Sequence, residues 1–381
     1  MPFWMLMLVA LLNHSSFKAN KVLISLFAID LGASPATIGV LYAMYSLFPA
    51  LLSVSAGKVS DRFGFRVPVM ASCSGVMLSL ILPFFYPELA ALFVTAAVAG
   101  TCNIFYVVAI QHAIGAYGEG PARTRNYSLF AVCVGISALV GPVVSGFAID
   151  TIGHRAAFLV IAAFPAVTLL MLAVRSARPL RTRPHAEPPA RGRVWDLLRN
   201  APLRRVLVAT ALLETGMELF NFLMPIYGSA IGLSASEIGI VMGTFALAML
   251  VVRTLMTRLV RRSGEAGVFG ASMLVAAVAC VAFPVVSGFV PLLLMSFLLG
   301  LGLGCGAPLS MTLSYNRSPS GRAGEAIGLR QTVNKTMETV APAFFGFLSA
   351  AVGVAPVYWF GALALACGGM LMRSDARRGK P

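Results

Sequence analysis

Charged residues are scarce in this chain. They make up 11% of its 381 residues, and acids are the rarer kind, 14 Asp and Glu against 29 Lys and Arg. A soluble domain carries about a quarter charged residues, so a water-exposed surface of ordinary extent is excluded. Cysteine is also sparse: Cys73, Cys102, Cys133, Cys280, Cys305 and Cys367 all fall in apolar stretches, without CxxC spacing or nearby histidine clusters. That pattern excludes a disulfide framework and a zinc site. No nucleophile has a base placed beside it. The glycine run Gly300, Gly302, Gly304 and Gly306 follows no strand and opens no helix, so it reads as close packing or a flexible gate and not as a phosphate loop. Enzymatic chemistry and a bound cofactor or metal are therefore not expected.

What is present is apolar. Hydrophobic residues reach 58% and mean hydropathy is +0.86. Apolar segments run over 3–29, 36–56, 67–86, 90–112, 127–149, 156–174, 206–228, 237–252, 268–287, 290–312, 326–351 and 355–372. Each is long enough for a helix across a ~30 Å hydrocarbon core, and none alternates as a barrel strand would. The expectation is an all-α integral membrane protein of twelve helices. The +15 net charge lies on one side: Lys58, Arg62 and Arg66 follow segment 2, Arg123 and Arg125 segment 4, Arg258, Arg261 and Arg262 segment 8, and Arg317 and Arg322 segment 10. Alternate connections carry no Lys or Arg, apart from Arg155. The positive-inside rule then places both termini in the cytoplasm, as expected of a multi-pass protein of a bacterial inner membrane. A nucleic-acid partner is disfavoured, since the charge marks topology. Pro2 to Leu12 lacks the basic start and small-residue cleavage site of a signal peptide and reads as the beginning of helix 1.

Polar residues interrupt two of these segments. Glu214, Glu218 and Asn221 share one helical face, and His14, Lys18 and Lys21 repeat that spacing 200 residues earlier. A carboxylate at bilayer depth costs several kcal/mol unless it meets a partner or water, so a polar interior is expected. The offset recurs at Gly32, Ser34 and Gly39 with Gly232, Ser234 and Gly239, and at Pro142 and Gly146 with Pro342 and Gly346. Two pseudo-symmetric six-helix bundles are read, 1–174 and 206–372, with a site near the midplane between them. An Arg- and Pro-rich cytoplasmic linker, 175–205, joins them, and 373–381 forms a tail. Anionic lipid is the expected partner of the linker.

After segment 2 stands Gly57-Lys-Val-Ser-Asp61-Arg62-Phe-Gly64-Phe-Arg66. It resembles the G-x-x-x-D-R-x-G-x-R loop of major facilitator superfamily transporters, matching at Gly57, Asp61, Arg62, Gly64 and Arg66. The resemblance implies a cytoplasmic latch that joins neighbouring helix ends when the cavity faces outward. In segment 5, Gly135, Gly141, Pro142 and Gly146 resemble the glycine-proline motif of the superfamily's exporters; small residues there also serve close helix packing. The family reading implies a cavity lined by helices 1, 4, 7 and 10, flanked by 5 and 11. Asn13, His14, Lys18, Lys21, Asn103, Tyr106, Asn221, Arg330 and Asn334 are its candidate residues, and Glu214 and Glu218 its proton-coupling pair. Arg330 and Glu338 alternatively pair with each other. The expected function is proton-coupled export of a small polar or amphipathic compound by a monomer. Uptake of an anionic or zwitterionic solute with protons, sodium coupling, and a sensor that does not transport remain open alternatives.

Overall fold

The computed structural model describes residues 2–117, 121–174, 194–319 and 322–378. Among them every regular element is helical: α1 (Phe3–Asp30), α2 (Pro35–Phe63), α3 (Arg66–Phe85), α4 (Leu89–Ala116), α5 (Pro121–Val174), α6 (Ala201–Ala230), α7 (Ala235–Ala282), α8 (Phe289–Gly304), α9 (Gly306–Asn316), α10 (Ala323–Val352) and α11 (Val354–Arg378). A 3-10 turn over Val194–Arg199 precedes α6. The first part of the expected linker, 175–193, lies outside the described residues.

Two of these helices are double. α5 leaves helical geometry at Gly153 (φ 81°, ψ 163°) and α7 at Gly264 (φ 71°, ψ 164°), a region of backbone space essentially reserved for glycine. Both limbs of α5 then flank α1. From the first limb Ser137 donates its hydroxyl to the Leu11 carbonyl, and Ser16 donates to the Ile161 carbonyl of the second. In the same way α8 meets both limbs of α7, with Gly300 against Phe245 and Gly302 against Ala276. α8 and α9 form one crossing interrupted at Cys305.

Among the described residues, eight helical runs are long and apolar enough to cross a membrane. α5 and α7 supply two crossings each; α1 and α10, 28 and 30 residues long, fall outside the eight because polar side chains dilute them. At about 1.5 Å rise per residue both exceed a ~30 Å core. The chain is all-α and membrane-embedded, with twelve crossings in two six-helix halves.

The 200-residue offset is a repeat of backbone geometry. Among the described residues, six of the seven glycines with positive φ pair as Gly32 with Gly232, Gly64 with Gly264, and Gly153 with Gly353. The amide of Ala33 donates to the Ala28 carbonyl as that of Leu233 does to Gly228. A Cβ on Gly100 would stand 2.6 Å from the Tyr45 carbonyl oxygen, and one on Gly300 would stand 2.4 Å from that of Phe245. The same tight turns and close approaches thus serve both halves.

By contacts, one compact unit gathers Met1–His185 with Gly228–Gly243 and a second gathers Ala186–Tyr227 with Thr244–Pro381. In the first, Val9 and Ala10 of α1 pack with Val69, Ala109, Ile110 and Leu172. In the second, Leu197 of the 3-10 turn inserts beside Leu203, Leu207 and Ala326. α11 runs through the start of the expected tail to Arg378, and the reason is Asp375. Buried, it accepts from Arg205 at 2.7 Å and pairs with Arg317, tying the end of α11 to α6 and to the end of α9.

Candidate functional site

The second unit holds a cluster of five charges on α6 and α10. Glu214 is half-buried and Glu218 is 7% exposed, one turn apart on α6. Glu218, Glu338, Arg330 and Lys335 all lie within electrostatic reach of Glu214. Lys335 is also in reach of Glu218 and forms an ion pair with Glu338. The ion pair observed for Glu338 is thus with Lys335. Arg330, 5% exposed, donates to the Ser310 hydroxyl and to Gln331 Oε1, both at 3.3 Å. A spacing of three residues brings Lys335 and Glu338 onto neighbouring turns, whereas Arg330 is turned toward α9. Asn334 Oδ1 is buried without a hydrogen-bond partner, and Asn221 is half-buried on α6.

Gln331, Thr332, Lys335 and Thr336 form an exposed polar face on α10. In a membrane-spanning helix, such a face must meet water or protein, because lipid offers it no hydrogen bonds.

In the first unit the polar middle of α1 splits by role. Both ends of the Asn13 amide are engaged, donating to Val9 O and Thr168 Oγ1 at 2.9 Å and accepting from Cys73 Sγ at 3.0 Å. His14 sits edge-on to Tyr106 and Phe130, with Nε2 buried and without a hydrogen-bond partner. Tyr106, fully inside the core, spends its hydroxyl on the Val9 and Ala10 carbonyls. Lys18 is half-buried and close enough to His14 to interact with it electrostatically. Lys21 is 9% exposed and lies among Phe17, Tyr42 and Tyr45. Asn103 is half-buried on α4.

The latch segment closes α2 and opens α3. Gly64 ends α2 at φ 66°, ψ −156°, its amide donating to the Ser60 carbonyl. Arg66 reaches 2.9 Å to the Leu172 carbonyl near the end of α5, where a helix terminus welcomes a cation. Arg62 is exposed over the Phe63 ring, and a Cβ on Gly57 would meet nothing within 4 Å. The side chain of Asp61 lies outside the described residues. Of the segment 5 motif, Gly135 is half-buried on α5. Gly141 admits the α1 backbone, with Ser15 O 2.8 Å from a built Cβ, and Gly146 admits Ala235 of α7, whose carbonyl oxygen would stand 2.2 Å away. Pro142 lends its carbonyl to the close approach of Gly239, at 2.4 Å from a built Cβ.

One group escaped sequence reasoning. Asp150 accepts from the amides of Ala235 at 3.1 Å and Ser236 at 2.7 Å, so a carboxylate of α5 caps α7. His154 stacks on Phe27 and stands 3.7 Å from Asp30. These three line a cavity of about 190 Å³ together with Leu233 and Ile238. The available signal was an acid in a connection otherwise poor in charge, with Ala350 as its counterpart 200 residues on.

Comparison with known proteins accords with this geometry. The sequence model of the family described as Major Facilitator Superfamily matches twice, over residues 6–213 and 206–381. The class C tetracycline resistance protein of Escherichia coli is 32% identical over 133 residues, covering 35% of this chain and only 33% of that protein's length. The quinolone resistance protein NorA of Staphylococcus aureus (strain MSSA476) is 19% identical over 86% of this chain and 85% of that protein. Among solved structures, the nucleoside transporter NupG matches with a TM-score of 0.81 at 12% identity, covering 98% of this chain and 99% of that chain, a likeness of fold alone. With a family match over each half and twelve crossings repeated at a fixed offset, the chain belongs to the major facilitator superfamily of multi-pass membrane transporters, which move small molecules and are not enzymes.

Proposed function

We propose that this transporter exports a small polar or amphipathic compound in exchange for protons, by alternating access. The charge balance of the α6 and α10 cluster carries the reading. Glu214, Glu218 and Glu338 face Arg330 and Lys335, which leaves one negative charge in excess when all five are ionised. A single proton neutralises it. At about 5 Å and an effective dielectric of ~20, one such charge interacts with a neighbour by about 3 kcal/mol, enough to bias a two-state equilibrium. Each elementary charge crossing the membrane is worth about 2.3 kcal/mol per 100 mV. Proton occupancy can therefore decide toward which side the site opens, and the exchanged solute restores the empty state.

Export is supported by the Gly141, Pro142 and Gly146 motif and by the resistance proteins among the relatives. The one-sided Arg distribution supports a cytoplasmic position for both termini and for the Gly64 turn, which leaves the Asp150 cap at the outer face of a bacterial inner membrane. Residues 1–174 and 206–372 are read as the two moving halves, joined by the basic linker against anionic lipid, in a monomer. Gly57, Asp61, Arg62, Gly64 and Arg66 latch the cytoplasmic ends. Asn13, His14, Lys18, Lys21, Asn103, Tyr106, Asn221, Arg330 and Asn334 contribute to the solute path.

A panel of organic solutes in proteoliposomes under an imposed pH gradient tests the reading. At least one solute is expected to be driven against its own gradient by wild type and not by Glu218→Gln. If purified, folded protein moves none of them, the sensor reading replaces transport.

A further inference from the structure

Lys21 is a buried cation without a counter-ion. Its ammonium stands 5.6 Å from the Phe17 ring centroid, 5.3 Å from Tyr42 and 5.6 Å from Tyr45, and no carboxylate among the described residues pairs with it. Three ring faces of about 0.5–2 kcal/mol each can sustain the charge inside the bundle. They supply no negative charge. Beside it the environment is unfinished in a second way. Asn20, 1% exposed, and the hydroxyl of Tyr45, 2% exposed, lie against each other, and neither has a further side-chain hydrogen-bond partner among the described residues. Buried polar groups short of partners cost about 1–3 kcal/mol each, so two such side chains near an unpaired cation are a costly arrangement unless something fills it.

The missing partner has a definable chemistry. It must bring negative charge to the ammonium and accept hydrogen bonds from Asn20 Nδ2 and the Tyr45 hydroxyl, which a carboxylate does with two oxygens. Its remaining body must be apolar and flat, because Phe17, Tyr42 and Tyr45 are what surround the charge. We propose that Lys21, Asn20 and Tyr45, with Phe17 and Tyr42 as walls, form a binding site for the carboxylate of an aromatic solute. This names a substrate class for the transport reading and rests on that reading only for the claim that the bound solute is then moved.

Binding by the purified full chain tests the site without requiring transport. Benzoate is the probe, benzamide its neutral isostere and sodium chloride the control for ionic strength, and the readout is the concentration-dependent rise in Tm that ligand binding confers. Benzoate is expected to raise Tm in wild type and in Lys21→Arg, which keeps the charge, and to lose at least tenfold in apparent affinity in Lys21→Met. An equal rise with benzamide or chloride overturns the proposal, as does absence of a benzoate effect or its survival in Lys21→Met. Should Lys21→Met fail to fold, Tyr45→Phe takes its place: it removes one donor to the carboxylate and should weaken benzoate binding, and an unchanged affinity overturns the proposal. The two readings fail separately. Benzoate that binds through Lys21 yet is not moved in proteoliposomes under a pH gradient refutes transport of this class and leaves the site standing. Gradient-driven flux of a neutral solute by protein that ignores benzoate refutes the site and leaves transport standing.

Discussion

Replacing Gly141 by alanine tests how closely α1 and α5 approach. A Cβ built there lies 2.7 Å from Lys18 Cβ, 2.8 Å from the Ser15 carbonyl oxygen and 2.9 Å from the Ala19 amide nitrogen. Carbon atoms rest about 3.5–4.0 Å apart, so α1 would have to retreat by about 1 Å. No rotamer change relieves this, because two of the three obstacles are backbone of a helix whose Ser15, Ser16, Ala19 and Asn20 are already buried. Overpacking of this kind costs about 1–3 kcal/mol, while alanine in a helix gains about 1 kcal/mol over glycine. The net expectation is a loss of up to about 2 kcal/mol. Gly328→Ala is the reference: it lies inside α10 with nothing within 4 Å of a built Cβ, and should gain about 1 kcal/mol. Thermal unfolding of both variants in one detergent gives the comparison. Equal stabilities, or a more stable Gly141→Ala, would refute the close approach.

Three further outcomes follow from the geometry. Gly64→Ala forces a side chain into a backbone region that costs about 1–3 kcal/mol; the loss should appear in Tm and should be matched by Gly264→Ala, its counterpart at φ 71°. Asp150→Asn retains one acceptor oxygen for α7 and Asp150→Ala none, so stability should fall in that order by about 0.5–2 kcal/mol in all, the range of a lost helix cap, and Tm with it; equal Tm for wild type and Asp150→Ala would show the cap to be idle. Lys335 is exposed, so its pair with Glu338 contributes about 0–1 kcal/mol to stability. Lys335→Met should therefore leave Tm nearly unchanged yet reduce solute flux, and adding Glu338→Gln, which restores the charge balance, should recover part of it.

The repeat was legible because glycine marks it. Gly32, Gly64 and Gly153 return 200 residues on, and each enforces a turn that few other residues enter, so sequence spacing translated directly into backbone geometry. The polar faces of α1, α6 and α10 were legible for a related reason: charge inside an apolar run has no inexpensive place in lipid. What spacing along one helix does not contain is the partner. Asn13 belongs with Thr168 and Cys73, and Lys21 with Tyr42 and Tyr45, through packing between helices that no periodicity reports. Asp150 was hidden by its position, since an acid near a turn is the ordinary case until its two bonds to α7 are seen. Arg330 and Glu338 share a helical face, but the ion pair of Glu338 is with Lys335, one turn away, while Arg330 bonds to the Ser310 hydroxyl on α9.

Proton movement accompanying solute movement tests the central claim most directly. Proteoliposomes carrying a pH-sensitive dye inside, with a solute gradient and no imposed pH gradient, report both fluxes at once. For exchange carried by the α6 and α10 cluster, solute leaving the vesicles drives protons in through wild type, and Glu214→Gln moves solute without moving protons. Protons travelling in the same direction as the solute, no proton movement in wild type, or undiminished proton movement in Glu214→Gln would each contradict it.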